Sequence, residues 1–444
     1  MFGDLIQMVS EVQSGGVTVA ERMKQRRQKL IELIAEQYPG KVGTVFLFAP
    51  VELDHGNFVQ DSSFFYLSGI SEPAATLSFG FGQHTTLYTP FFGDLRDQWV
   101  QSVDILNAQT IMLYGIDELQ HSGARLGSYT VDPYFSPVDY QHVIEQLTNM
   151  VSRGQTIFTI YPQHTRAHAG VRYILDRLAL FVPNLMAHVV DISPLIAKLR
   201  RKKDMSEIES MYQAIAVTNA AFQAAAHLIR PDAQEAEIQA AIEYIFTENK
   251  AGKAYPSIVA GGKRATVLHY TLNNEIVREG DLVLIDAGAM YQHYCADITR
   301  VFPANGKFSK RQKEIYEMVL ETQMHVADHV QPGVWLNNLE EPTMSLQHIA
   351  LAFLKQHGYD KYFVHGIGHY LGLDVHDVGS RLDPLQEGDV ITIEPGIYIP
   401  EEGIGIRIED NYWVIADAEP VCMSEDIPKT VEAVEDMVSQ KFDF

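Results

Sequence analysis

Two stretches of this chain place acids where chemistry could be done with them. Gly280 to Arg300 reads GDLVLIDAGAMYQHYCADITR, and Gly388 to Asp410 reads GDVITIEPGIYIPEEGIGIRIED. Each opens with Gly-Asp, runs through β-forming residues, reaches an acid and then turns at a residue followed by Gly. The acid is Asp286 in the first copy, before Ala287-Gly288, and Glu394 in the second, before Pro395-Gly396. A further acid follows in each, Asp297 in one and Glu409 in the other. Side chains alternate along a strand, so Leu282, Leu284 and Asp286 share a face, as do Val390, Thr392 and Glu394. Two hairpins that each turn two carboxylates inward make one tetra-acidic site if the copies face each other. Four carboxylates do not crowd together ionised without cations between them, and a pair of divalent metals is the simplest resolution. As plain buried acids they would each cost several kcal/mol. A domain whose margin is about 5–15 kcal/mol does not carry four of them.

Histidines supply the rest. His365, His369 and His376 fall within VHGIGHYLGLDVHDVG, and His269 sits in ATVLHYTLNNE. Gly366, Gly368 and Gly372 let the backbone of the first stretch pass close to something. His325, His329, His348 and His357 lie on helical stretches and read as ordinary surface or packed residues. An oxygen-rich donor set with one imidazole suits Mn²⁺, with Co²⁺, Zn²⁺ or Fe²⁺ as substitutes. Two such ions about 3.5–4 Å apart activate a water and stabilise both oxygens of a hydrolytic transition state. Carboxylates left over can take the proton, and histidines beside the metals can stabilise an oxyanion. Arg407 shares a strand face with Glu409 and could hold that carboxylate or a substrate group. Metal-assisted hydrolysis follows from the residues alone; the substrate does not.

The surrounding pattern must position these groups. Residues 17–37 have helical spacing with a basic middle, and 42–50 (VGTVFLFAP) read as a buried strand. The aromatic-rich 61–70 (DSSFFYLSGI) is followed by two further strand runs, and 187–191 reads as a last strand. Residues 1–190 are therefore expected to form a mixed α/β domain without a ligand cluster of its own. Asp61 and Trp99 could reach a neighbouring site, although ordinary packing is the simpler reading. The basic run 198–203 (KLRRKK) is expected to be a solvated linker or helix end. Ser206 with Glu209 fits a capping box for a helix running to about Ile229. Asp232 with Glu235 should open the next helix, Ser309 with Gln312 a third, and a fourth spans about 344–357. Helices thus flank each hairpin copy in similar order. Residues 191–444 are expected to form a duplicated α+β domain, with helices on one side of a curved antiparallel sheet.

The length of 444 residues suggests two or three domains. A chain that is 46% hydrophobic and 20% charged can build an ordinary globular core. The formal charge of −23 argues against nucleic acid or an anionic membrane surface as the main partner. Cys295 and Cys422 are too few for a disulfide framework. The first residues lack a basic start followed by an apolar run, and no stretch approaches the roughly 20 apolar residues of a membrane span. A cytoplasmic protein is the expectation.

Residues 265–435 closely resemble the pita-bread metallopeptidases, in the branch of Xaa-Pro aminopeptidases (aminopeptidase P) and prolidases. The matching stretches are LHYTLNN, GDLVLIDAGAMY, CADITRVFPANGKFS, VHGIGHYLGLDVHDVG, ITIEPGIYI and GIRIEDN. The N-terminal half resembles the family's creatinase-like domain more weakly, through DSSFFYLSGISEPAA and the DQW ending at Trp99. The resemblance implies a creatinase-like α/β domain over 1–190 and a pita-bread catalytic domain with an internal pseudo-two-fold repeat over 191–444. It implies that Asp286 chelates one metal, that Asp297 and Glu409 bridge both, and that His369 and Glu394 complete the second. Glu394 would also handle the proton of the attacking water. His376 would stabilise the oxyanion, His269 and His365 would orient substrate near the proline ring, and Arg407 with Tyr398 would form a supporting polar contact. A homodimer or homotetramer is likewise implied.

Within the branch, the short links from Asp377 to Glu394 and from Tyr398 to Arg407 resemble aminopeptidase P more than the prolidases. The HYTxN pattern from His269 to Asn273 and the NGKF run at 305–308 point the same way. The expected activity is hydrolysis of the bond between an N-terminal residue and a following proline. Xaa-Pro dipeptidase action is the alternative. Methionine aminopeptidases share the ligand set but lack such an N-terminal domain. A metal-free binding module or a creatinase-type hydrolase would have lost ligands that this chain keeps.

Overall fold

The computed structural model describes residues 17–439 apart from 53–57, 83, 94–95, 103, 105, 132–134, 163–167 and 417. The stretch read for a leader, 1–16, lies outside the described residues. The chain divides into two compact units, 1–200 and 201–444.

The first unit is built on a six-stranded mixed sheet. In spatial order its strands are Glu118–Arg125, Thr85–Phe91, Thr76–Gly80, Gly43–Phe48, Thr156–Thr159 and Val189–Asp191. The central strand Gly43–Phe48 pairs antiparallel with Thr76–Gly80 and parallel with Thr156–Thr159. Buried on almost its whole length, it lacks the polar alternation of a half-exposed strand. The helix Val19–Gln37 starts at a capping box between Thr18 and Glu21. The aromatic 61–70 stretch is a short helix, Ser62–Ser68. Asp61 caps it by accepting from the Phe64 amide at 2.9 Å, and its other oxygen meets the His168 ring. Trp99 stacks on Tyr129, with ring centroids 5.0 Å apart.

The second unit repeats one motif. In the first copy, Leu282–Ala287 pairs antiparallel with Ile298–Pro303, and a small hairpin of Ala289–Tyr291 with Tyr294–Cys295 sits between them. In the second, Val390–Ile393 pairs with Asp410–Trp413, and the nested hairpin is Gly396–Ile399 with Ile404–Arg407. Asp286 and Glu394 therefore stand where the first strand of each copy gives way to its hairpin. Asp297 and Glu409 stand where the hairpin returns. The copies join through an antiparallel bridge between Thr299 and Glu409, whose amide donates to the Thr299 carbonyl at 3.2 Å. Helix Met205–Ala226 packs on Glu235–Glu248, and Lys310–Ala327 packs on Leu346–Gln356.

Three local expectations change. The helix from Met205 is capped by Asp204, not Ser206: Asp204 accepts from the Glu207 amide at 3.1 Å, and Glu207 accepts from the Asp204 amide at 2.9 Å. The next helix is capped by Gln234 with Glu237. Glu235, fully buried, instead faces the segment carrying His269, accepting from the Gly261 and Glu275 amides, Arg264 and Tyr270 at 2.7–3.0 Å. The basic run does end a helix, Ser193–Arg201, but it is only partly solvated: Lys198 and Lys202 are exposed, whereas Arg200, Arg201 and Lys203 are buried. Arg200 donates to Ser63 at 3.0 Å within the first unit. Arg201 makes a two-pronged contact with Asp389, at 2.8 and 2.7 Å, and Lys203 meets Asp377 at 3.0 Å, both within the second. Buried carboxylates distant in sequence hold Arg201 and Lys203 out of water. The Ser309–Gln312 box does cap the helix from Lys310. Among the described residues no helix is long and apolar enough to cross a membrane.

Candidate active site

The two hairpins and the 365–376 loop bring the acids and imidazoles together. Segment 367–371 runs beside Val390–Ile393: the Thr392 amide donates to the His369 carbonyl and the Glu394 amide to the Ile367 carbonyl, both at 2.9 Å. A Cβ on Gly368 would lie 2.0 Å from the Thr392 carbonyl oxygen, so only glycine permits this approach. His369 is thereby aimed inward. Its Nδ1 lies 2.9 Å from the Tyr370 carbonyl, which fixes the tautomer and leaves Nε2 facing Asp297 at 3.3 Å and Glu394 at 3.7 Å. Asp297, His369 and Glu409 each offer a ligand atom within 4.8 Å of the others.

Asp286 joins through Tyr255, whose hydroxyl lies between the two acids, 2.7 Å from Asp286 and within hydrogen-bond reach of Asp297. Arg407 meets Asp286 through Nη2 and donates through Nη1 to Tyr398 at 2.9 Å. Its Nε donates to Thr299 at 3.0 Å, and the Thr299 hydroxyl donates to Glu409 at 2.7 Å. Arg407 therefore reaches Glu409 chiefly through a threonine. His365 places Nε2 3.0 Å from the Tyr398 hydroxyl and Nδ1 3.8 Å from Glu394. His376 lies with its ring centroid 4.4 Å from that of His369, but in the exposed loop. His269 is exposed and close enough to His365 and His376 for its charge to weigh on both.

Burial governs the electrostatics. It pushes Glu409 well above the usual carboxylate range, with Asp297 adding to the effect. It raises Asp286 against the pull of Arg407, and brings Glu394 to about 7 despite His369 and Arg407. Burial holds His365 down to about 4. For His369 burial opposes protonation, but its hydrogen bond to Asp297 and the nearby carboxylates prevail and raise it to about 9. Burial and the neighbouring His369 lower His376. These are properties of a protein without cations, in which protons and Arg407 must offset the crowded acids. The donor set, the oriented imidazole and the crowding all fit divalent metal.

Tyr255 and Thr299 escape a reading of acids and histidines. Thr299 carried a signal, since it stands two residues after Asp297 and hence on the same strand face. Tyr255, in an irregular segment distant from both hairpins, carried none.

The comparisons with known proteins agree with this geometry. The model of metallopeptidase family M24 matches residues 209–416, which include all of these hairpins and the loop between them. A Xaa-Pro aminopeptidase of Haemophilus influenzae is 31% identical over 450 residues, covering 94% of this chain and 97% of its own length. The chain belongs to the M24 metallopeptidases. It falls in their Xaa-Pro aminopeptidase and prolidase branch. A Xaa-Pro dipeptidase of Pyrococcus furiosus is 40% identical, but over 228 residues that cover 50% of this chain and 63% of its own. The structure of zinc-substituted Escherichia coli aminopeptidase P in complex with product aligns with a TM-score of 0.77 at 27% identity, covering 94% of this chain and 98% of that one. The expected architecture, a creatinase-like α/β part followed by a duplicated α+β pita-bread part, is thus that of its relatives.

Proposed function

We propose that this chain is a dinuclear-metal aminopeptidase that releases the N-terminal residue of peptides whose second residue is proline. One observation carries the reading. A chain matched almost end to end by a Xaa-Pro aminopeptidase gathers the buried Asp286, Asp297, Glu409 and His369 and the half-buried Glu394 at the heads of two duplicated hairpins. The dipeptidase resemblance, by contrast, stops at half the chain.

Asp286, Asp297 and Glu409 would hold one ion, and Asp297, His369, Glu394 and Glu409 the other. Two divalent ions there, Mn²⁺ by donor chemistry, would supply a water activated at neutral pH and a polarised scissile carbonyl. Glu394 takes the proton of the attacking water. His376, its ring 4.4 Å from that of His369, donates toward the oxygen of the tetrahedral intermediate. His365, kept neutral by burial and braced by Tyr398, orients the proline together with His269. Arg407 and Tyr398 hold Asp286 and His365 in place. Residues 1–190 would form a domain without catalytic ligands, and 191–444 the catalytic domain. The same reading gives the enzyme a homodimeric or homotetrameric assembly and a cytoplasmic setting, in keeping with its free cysteines.

The test is a paired hydrolysis assay on metal-stripped protein reloaded with Mn²⁺. One substrate is a dipeptide ending in proline and the other a longer peptide with proline second. Release of the free first residue from the longer peptide, in clear preference, supports the proposal. Cleavage confined to the dipeptide makes the protein a dipeptidase with the same site, and no metal-dependent cleavage of either overturns the reading.

A further inference from the structure

The basic run at 198–203 has no part in the chemistry above, yet its last residue ends beside the active site. The Lys203 ammonium and the Asp377 carboxylate are each 1% exposed and lie 3.0 Å apart. Asp377 directly follows His376 in a loop without regular secondary structure, so no strand ladder sets the direction of that imidazole. The loop is folded on itself instead. The Asp377 amide donates to the Tyr370 carbonyl at 3.0 Å, and the Gly372 amide to the Asp374 carbonyl at 3.1 Å. The Cys295 amide ties the Gly372 carbonyl to the first hairpin at 2.8 Å. A Cβ on Gly372 would lie 2.1 Å from the Asp377 carboxylate and 2.9 Å from Cε of Lys203, so the ion pair rests on bare backbone.

The lysine is held as firmly as the loop. Its amide donates to the Gly388 carbonyl at 3.0 Å. Arg201 grips Asp389 and lies 4.9 Å over the Tyr370 ring. A buried ion pair generally adds little stability over an apolar pair of the same shape. What it does supply is a direction, because a buried carboxylate has few alternative places for its charge.

The geometry points to Lys203 and Asp377 as positioning residues for His376: the ion pair fixes the backbone from which that imidazole reaches the reacting carbonyl. This rests on the role given to His376 above. It makes the 201–203 segment part of the catalytic apparatus without touching substrate.

A double-mutant cycle tests it. Lys203→Met with Asp377→Asn removes both charges together, so neither charge is left buried without its counterion. In the metal-saturated enzyme this pair of changes is expected to lower kcat at least about tenfold. KM and the calorimetric Mn²⁺ affinity should stay within about twofold, and in a His376→Ala background the same changes should cost less than about twofold in kcat. Equal losses in both backgrounds would make the ion pair merely structural and overturn the proposal, as would an unchanged kcat. Wild-type kcat in His376→Ala alone would instead refute the role of His376 and with it the reading of the site. Should the neutral pair fail to fold, Asp377→Glu keeps both charges but shifts the contact by one methylene. It must then show the same dependence on His376.

Discussion

Removing one hydroxyl should loosen the metal centre without touching a ligand. Thr299 is fully buried between the two copies, accepting from Arg407 at 3.0 Å and donating to Glu409 at 2.7 Å. Thr299→Val keeps the β-branched shape and the main-chain bridge to Glu409 but removes both hydrogen bonds. A hydrogen bond to a charged group is worth about 1.5–3 kcal/mol, and a buried donor left without an acceptor costs about 1–3 kcal/mol. Arg407 keeps Tyr398 and Asp286. The combined loss of stability should therefore fall in the lower half of that sum, about 2.5–4 kcal/mol. The carboxylate of Glu409, already pushed upward by burial, is pushed further by loss of a donor, so protons compete better with metal. Outer-shell losses of this kind weaken metal binding by about 10–100-fold. Calorimetric titration of the stripped protein with Mn²⁺, beside urea unfolding, reads both quantities, and Thr299→Ser should recover most of each. A folded valine variant that binds Mn²⁺ within about twofold of the parent would refute the reasoning.

Asp297→Asn and Glu409→Gln should lose bound metal and activity together, measured by metal analysis after dialysis and by peptide hydrolysis. The metal-free protein should lose stability as pH rises. Glu394 has a folded pKa raised to about 7, so its ionisation opposes folding between its ordinary value of 4.5 and 7. His369, raised to about 9, gives up its stabilising proton between 6.5 and 9. His365, lowered to about 4, acts in the opposite sense only below 6.5. Melting of chelator-treated protein should therefore fall from pH 6.5 to 9, while Mn²⁺ affinity climbs over the same range as its ligands lose their protons. A flat or rising melting profile would contradict this. Asp204→Ala should destabilise the second unit by about 1 kcal/mol through loss of a helix cap, whereas Ser206→Ala should do less; equal effects in urea unfolding would misplace the cap.

What could be read in the residues follows from how local each feature is. The acids were legible because period-two alternation and a repeated Gly-Asp frame are visible within about twenty residues. The cap at Ser309 was legible for the same reason. Asp204-x-x-Glu207 and Ser206-x-x-Glu209 are overlapping boxes of equal merit in sequence. The chain takes the first because Asp204 is extended where it leaves the buried Lys203. The burial of Arg201 and Lys203 was beyond local reading, since their carboxylates lie 188 and 174 residues away. Tyr255 was hidden likewise, its partners being 31 and 42 residues off and identifiable only once the hairpins close.

The bridge from Thr299 to Glu409 bears on how the molecule could be taken apart. The halves of the site are aligned by direct main-chain pairing and by Arg300, whose guanidinium donates to the carbonyls of both Thr299 and Glu409 at 2.9 and 2.7 Å. Covalent continuity through the long connection between the copies is not what sets their register. That connection contains an exposed turn around Leu339, which is 81% exposed. A chain cut there should yield two fragments that find each other by the surfaces they already share. The protein is thus suited to being split into complementary halves, neither of which holds a complete ligand set until they associate.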